Sequence, residues 1–161
     1  MKKFFVPLAI LAMLGLLGAA AAWDCVRLAE DARRRVEMAD GDLQKHEQRL
    51  ARLLTGFPQV SPEVQSAVTA YEAAEGSQAR RAAYQQLVAS FRQTMASDVD
   101  PTNPLERRFM DDVAGAINRR EIAEPSYDAE YAAYQEFLRS RRGSVARWFS
   151  ATVRHDWKPG G

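Results

Sequence analysis

One cysteine and two histidines are all that these 161 residues offer to metal or redox chemistry. Cys25, standing alone, excludes an internal disulfide framework and a cysteine-rich metal site. His46 and His155 are too few for most zinc and di-iron designs. Neither sign of charge dominates: 22 basic residues against 21 acidic give +1, so no global field draws nucleic acid. No strand-like alternation and no fixed-period repeat is present. Glycine and proline are sparse, and between Gly18 and Gly56 only Gly41 interrupts the helical pattern. With 27% charged and 47% apolar residues, the chain has the balance of an ordered protein.

What the sequence does have begins at its first stretch. Phe4 to Trp23 is a run of twenty uncharged residues. About 20 residues at 1.5 Å each cross roughly 30 Å of hydrocarbon as a helix. Two readings fit. As a secretory signal, Lys2-Lys3 is the basic start and Ala20-Ala21-Ala22 the small-residue cleavage site. As an anchor, the same residues form a transmembrane helix with Trp23 at the interface. Asp24 before Cys25 argues against lipidation of that cysteine.

From Ala29 onwards, apolar positions fall at alternating spacings of three and four: Ala29, Ala32, Val36, Ala39, Leu43, His46, Leu50, Leu53, Phe57. This predicts a long helix over 24–57 with one face packed against neighbours. Ser61-Pro62-Glu63 restarts a helix as N-cap, first-position proline and first-turn acid. The second helix is expected over 62–97, with a stutter or kink near Gly76 or, alternatively, a full turn at Gly76-Ser77. Asn103, Pro104 and Glu106 start a third helix over 104–140, continuing through Pro125 and closed by Gly143 as its C′ residue. Three rods of about 50–55 Å joined by short turns predict an all-α fold. It is an antiparallel up-and-down bundle of three long helices, or four if the chain turns at Gly76-Ser77, preceded by a transmembrane helix. The chain divides into an anchor (1–23), a bundle (24–143) and a basic, aromatic tail (144–161). With three passes the tail lies about 50 Å from the anchor end; with four it returns there.

At this point the residues resemble a known family. Val36-Glu37-Met38-Ala39 followed by Asp42-Leu43 looks like the VExAxxD(I/L) signature of LemA family proteins. Asn118-Arg119, Ala123, Tyr127-Asp128 and Tyr134-Gln135 are similar to the family's NRIAxAR…YN…YN pattern. Arg139 to Ala146 resembles its IRxFPGxxxA segment, with two arginines in place of Phe-Pro. Asp40 stands where an aromatic is usual, the first helix is about two turns shorter, and Pro125 interrupts a usually continuous helix. The resemblance implies a membrane-anchored antiparallel helical bundle and supplies no catalytic residues. It favours retention of Phe4–Trp23 over cleavage.

No set of residues in the sequence amounts to a catalytic, cofactor or metal site. His46, the one polar residue on the first seam, reads as a seam-edge histidine. Arg33, Asp40 and Glu47 recur every seven residues beside that seam, as flanking interhelical ion pairs do. Tyr127, Tyr131 and Tyr134 share a face and read as core with hydroxyls at the rim. Asp111, Asp112, Glu121 and Glu124 are scattered acids. The tail is the most distinctive feature: residues 138–161 hold six basic residues against one acid. Arg139, Arg141, Arg142, Arg147, Trp148 and Phe149 are the candidate contacts, with an anionic membrane or an acidic partner. The expected function is a single-pass membrane-anchored scaffold or interaction module of the envelope, without catalysis or cofactor. Its helical domain is placed on the extracytoplasmic side. Lipid contacts residues 4–23, and a protein partner or a second copy binds the bundle; nucleic acid and small-molecule substrates are not expected. The alternative is an exported soluble binding or chaperone-like protein, cleaved after Ala22.

Overall fold

The computed structural model describes residues 5–95, 102–150 and 153, and among these every regular element is a helix. Helix α1 spans Phe5–Thr55, α2 Pro62–Glu72, α3 Ser77–Met95, α4 Pro104–Arg139 and α5 Arg141–Phe149. The expected starts hold. Val64 N–H donates to Ser61 Oγ at 3.4 Å ahead of Pro62, satisfying one of the amides a helix leaves open at its start. Leu105 N–H donates to Asn103 Oδ1 at 3.0 Å, and the Asn103 amide donates to Glu106 Oε1 at 2.7 Å. Helix α4 runs through Pro125 without a break.

The described residues fall into two compact units. The larger is Val36–Ala129, and its contacts give the course of the chain. Helix α2 runs back along α1, ending with Tyr71 beside Glu47. Helix α3 reverses again, since Arg80 meets Asp40 and Glu47 while Phe91 lies edge-on to Phe109. Helix α4 returns, with Phe109 stacked on Phe57 at 3.9 Å and Arg120 reaching Glu47. This is an up-down-up-down bundle of four, around a core of Leu50, Leu54, Val64, Leu87 and Val113.

The expected single helix over 62–97 is therefore corrected to two, and the alternative turn at Gly76-Ser77 is the one observed. Gly76 has φ 79°, the left-handed region that a side chain disfavours by roughly 1–2 kcal/mol. The expected first seam is also shifted by one residue over part of its length. The buried positions are Val36, Asp40, Leu43, Glu47, Leu50 and Leu54, whereas Ala39, His46 and Leu53 are only half-buried. Apolar spacing alone chose the phase without the two acids, because acids are almost never buried unless paired.

The smaller unit takes α1 up to Arg35 and the chain from Glu130 on. Arg35 Nε and Glu130 Oε2 are 3.2 Å apart, and beyond them Ala22, Ala29, Ala32, Tyr134, Leu138, Ala146 and Val153 are buried. The expected closure of the third helix at Gly143 is corrected too. Helix α4 ends at Arg139, Ser140 caps the next helix by accepting from Gly143 N–H at 3.1 Å, and Gly143 lies inside α5. A Cβ on Gly143 would press on the Phe137 carbonyl oxygen and sit 2.7 Å from Leu138 Cα, so the corner requires glycine for closeness rather than for φ. The tail does not stand at the far end from the anchor. Arg142 lines a cleft of about 490 Å³ with Ala21, Asp24, Cys25 and Leu28, which overturns the three-pass placement. Residues 151–152 and 154–161 of the expected tail, including His155 and Trp157, lie outside the described residues.

Candidate functional site

The larger unit holds a buried polar cluster in its interior, with ionised side chains from α1, α3 and α4 and the Tyr71 phenol from α2. Glu47 on α1, 1% exposed, is the hub. Its Oε1 accepts from Arg120 Nε at 3.4 Å, its Oε2 accepts from the Tyr71 hydroxyl at 3.4 Å, and Arg80 Nε lies 3.4 Å from Oε2. Arg80 Nη2 donates to Asp40 Oδ2 at 2.9 Å, one helical repeat below. Arg120 also pairs with Glu124 one turn along α4. The guanidinium of Arg120 lies 4.9 Å from the Tyr84 ring, and that of Arg81 3.7 Å from the Tyr127 ring, so the cations are held by π-faces as well as by carboxylates. Arg81 reaches Asp128 at 3.5 Å.

The electrostatics follow from burial. Desolvation pushes the Glu47 carboxyl above its ordinary range, and the arginines Arg120 and Arg80 only partly offset it. Desolvation also raises the phenols: Tyr71 is pushed well above its ordinary value, with the Glu47 carboxylate adding to the effect, and Tyr84 is pushed up to about 12. Both phenols are therefore neutral at any physiological pH, and that of Tyr71 donates to Glu47. Several buried polar atoms have no hydrogen-bond partner in the structure, among them Asp40 Oδ1, Arg120 Nη2 and the Tyr84 hydroxyl.

This arrangement joins helices more than it invites a substrate. Glu47 and Asp40 each face a guanidinium, so neither is available as a base without stranding a buried cation. Among the described residues no three of His, Cys, Asp and Glu come together as a metal would require. The four-helix cluster behaves as a register pin, because sliding any one helix by a turn separates a buried charge from its partner at a cost of several kcal/mol.

The other candidates are placed as follows. Arg139 ends α4, and Arg141, Arg142, Arg147, Trp148 and Phe149 all fall on α5, where Trp148 is 89% and Phe149 68% exposed. His46 is half-buried and adjoins the hub residue Glu47 in sequence. Tyr127 and Tyr134 are buried and Tyr131 half-buried. The scattered acids stay apart: Asp111 and Asp112 are exposed, Glu121 pairs with Arg92 and Glu124 with Arg120. Cys25 is a half-buried free thiol in the cleft beside Arg142.

The heptad recurrence of Arg33, Asp40 and Glu47 was legible as ion pairs flanking the seam, but Asp40 and Glu47 are buried within it, and their partners Arg80 and Arg120 were missed. The usable signal was the spacing Val36, Asp40, Leu43, Glu47, Leu50, Leu54, an unbroken four-three alternation that places both acids inside. Acids in such a phase demand buried cations elsewhere, and Arg80 and Arg120 sit at core-facing positions of α3 and α4. No family model, curated protein or solved structure matches this chain.

Proposed function

We propose that this chain is a single-pass membrane protein of the cell envelope whose helical bundle serves as a scaffold or interaction module, without catalysis. The observation that carries the reading is the continuity of α1. It is one helix from Phe5 to Thr55, and its apolar part passes into the bundle with no intervening linker. Within that part Ile10, Leu11, Met13, Leu14, Leu16 and Leu17 are between 55% and 72% exposed. Six large apolar side chains on consecutive turns favour lipid over water by roughly 0.3–0.6 kcal/mol each for such residues at the centre of a bilayer. Length and composition qualify this one helix to cross a membrane, with a mean hydropathy of 1.5 over its most apolar window. A signal sequence has the same composition. Retention is supported by Ala22, which is helical and buried, so cleavage after it would remove a packed residue.

The resemblance to LemA proteins in the Val36–Leu43 and Asn118–Gln135 patterns supports the same assignment. The basic pair Lys2-Lys3 supports an inside N-terminus and a bundle on the extracytoplasmic side. Carbonate washing of membranes tests the proposal: the protein stays in the pellet if α1 spans the bilayer. Release as a soluble protein beginning near Trp23 would contradict it. Protease digestion of intact cells, with the bundle degraded and the N-terminus protected, tests the orientation.

A further inference from the structure

Helix α5 presents an uncovered aromatic pair on a helix whose nine residues include three arginines and no acid. Trp148 and Phe149 project into solvent, and Arg141 and Arg142 are exposed on the first turn. A short helix with this composition is suited to lie in the plane of an interface, its rings at the boundary of headgroups and acyl chains and its cations among phosphates.

The place of α5 along α1 selects the surface it meets. Helices α1 and α4 run antiparallel, and Arg35–Glu130 fixes their register. At equal rise per residue, Arg139 falls about level with Val26. Arg142 then lines a cleft with Ala21, Asp24 and Leu28, the residues on either side of Trp23. Trp23 to Leu28 spans about 8 Å along a helix, close to the depth of one headgroup layer and to the Debye length at physiological salt. Ala22 is buried although Ala21 and Trp23 beside it are exposed. A nine-residue helix is only about 13 Å long, so its rings lie within that distance of its first turn.

The geometry points to a second membrane contact: α5 docks on the anionic headgroups of the bilayer that α1 enters, through Arg141, Arg142, Arg147, Trp148 and Phe149. This rests on the anchored reading of α1. A protein partner approaching the same face would have to enter the headgroup layer, whereas an anionic lipid surface is already there and has the charge complementary to the arginines. Docking would hold the α4–α5 corner against the membrane, and the closeness required at Gly143 gives that corner one shape.

Two versions of the full chain, each with one tryptophan, test this in lipid nanodiscs. One keeps Trp148 (Trp23→Phe, Trp157→Phe) and the other keeps Trp23 (Trp148→Phe, Trp157→Phe). In discs rich in phosphatidylglycerol, brominated acyl chains are expected to quench both tryptophans. The Trp148 quenching is expected to fall in phosphatidylcholine discs or 1 M salt, where screening shortens to about 3 Å, while Trp23 quenching persists. Each arginine removed lowers the docked-to-undocked ratio roughly fivefold. Arg141→Glu/Arg142→Glu/Arg147→Glu is therefore expected to lose the Trp148 quenching with helicity unchanged, and the triple Arg→Lys variant to retain it. Trp148 left in water beside a quenched Trp23 overturns the docking and leaves the anchor standing. Equal Trp148 quenching in both lipids overturns the anionic requirement. An unquenched Trp23 overturns the anchor, and the docking with it.

Discussion

Glu47 and Leu14 lie on the same helix and reverse the usual arrangement of a soluble protein. Glu47 is 1% exposed among arginines, and Leu14 is 60% exposed with apolar neighbours on every side of the helix. The unit Val36–Ala129 keeps charge inside, and the apolar start of α1 keeps hydrocarbon outside. The first arrangement makes sense where the element must be told which partners to take, since burying ions adds little net stability and penalises every wrong pairing. The second makes sense where the surroundings are themselves apolar, since lipid leaves no driving force to bury leucine. On the anchored reading proposed above, one helix obeys two solvents, with the change near Trp23.

The comparison breaks first at its hub. Glu47→Ala strands Arg80 and Arg120 in the interior and is expected to cost about 3–5 kcal/mol of unfolding free energy in denaturant titrations followed by circular dichroism. An equally large truncation outside, Leu14→Ala, is expected to leave the denaturation midpoint of the bundle unchanged. The converse substitution sharpens the contrast. Leu14→Arg is expected to weaken membrane insertion by about 3 kcal/mol, read as a larger fraction released by carbonate, with the bundle equally stable.

The pH dependence comes next. Tyr84 has an ordinary phenol in the unfolded chain, near 10, and is pushed up to about 12 in the folded one. A raised folded value means the native state holds its proton longer. The contribution is complete below pH 10 and is lost as pH rises towards 12, by up to about 3 kcal/mol. Alkaline titration of stability checks this, and Tyr84→Phe is expected to flatten the decline. The smallest effect is expected at a cap: Ser61→Ala removes the acceptor of Val64 N–H and costs about 1 kcal/mol in the same denaturant titrations.

Much of the fold was legible because local chemistry decides it. Ser61-Pro62 and Asn103-Pro104 mark helix starts by capping alone, and the three-four spacing of apolar residues marks the helices. The turn at Gly76 was legible only as an alternative, since glycine in a helix and glycine in a left-handed turn look the same in sequence. Ser140 and Gly143 were read as the close of one helix. The one-residue corner they form depends on how near two backbones pass, which no local pattern records. The charge cluster was half visible. The heptad recurrence of Asp40 and Glu47 was plain, but their burial depends on Arg80 and Arg120, 33 and 73 residues beyond Glu47, meeting them in three dimensions.

The proposed passage of α1 from a membrane into the bundle is tested most directly by the intact mass and N-terminal sequence of the protein recovered from washed membranes. The account predicts a chain that retains the apolar segment, with a mass near 18.0 kDa. A membrane-free protein whose sequence begins at Trp23 would contradict it.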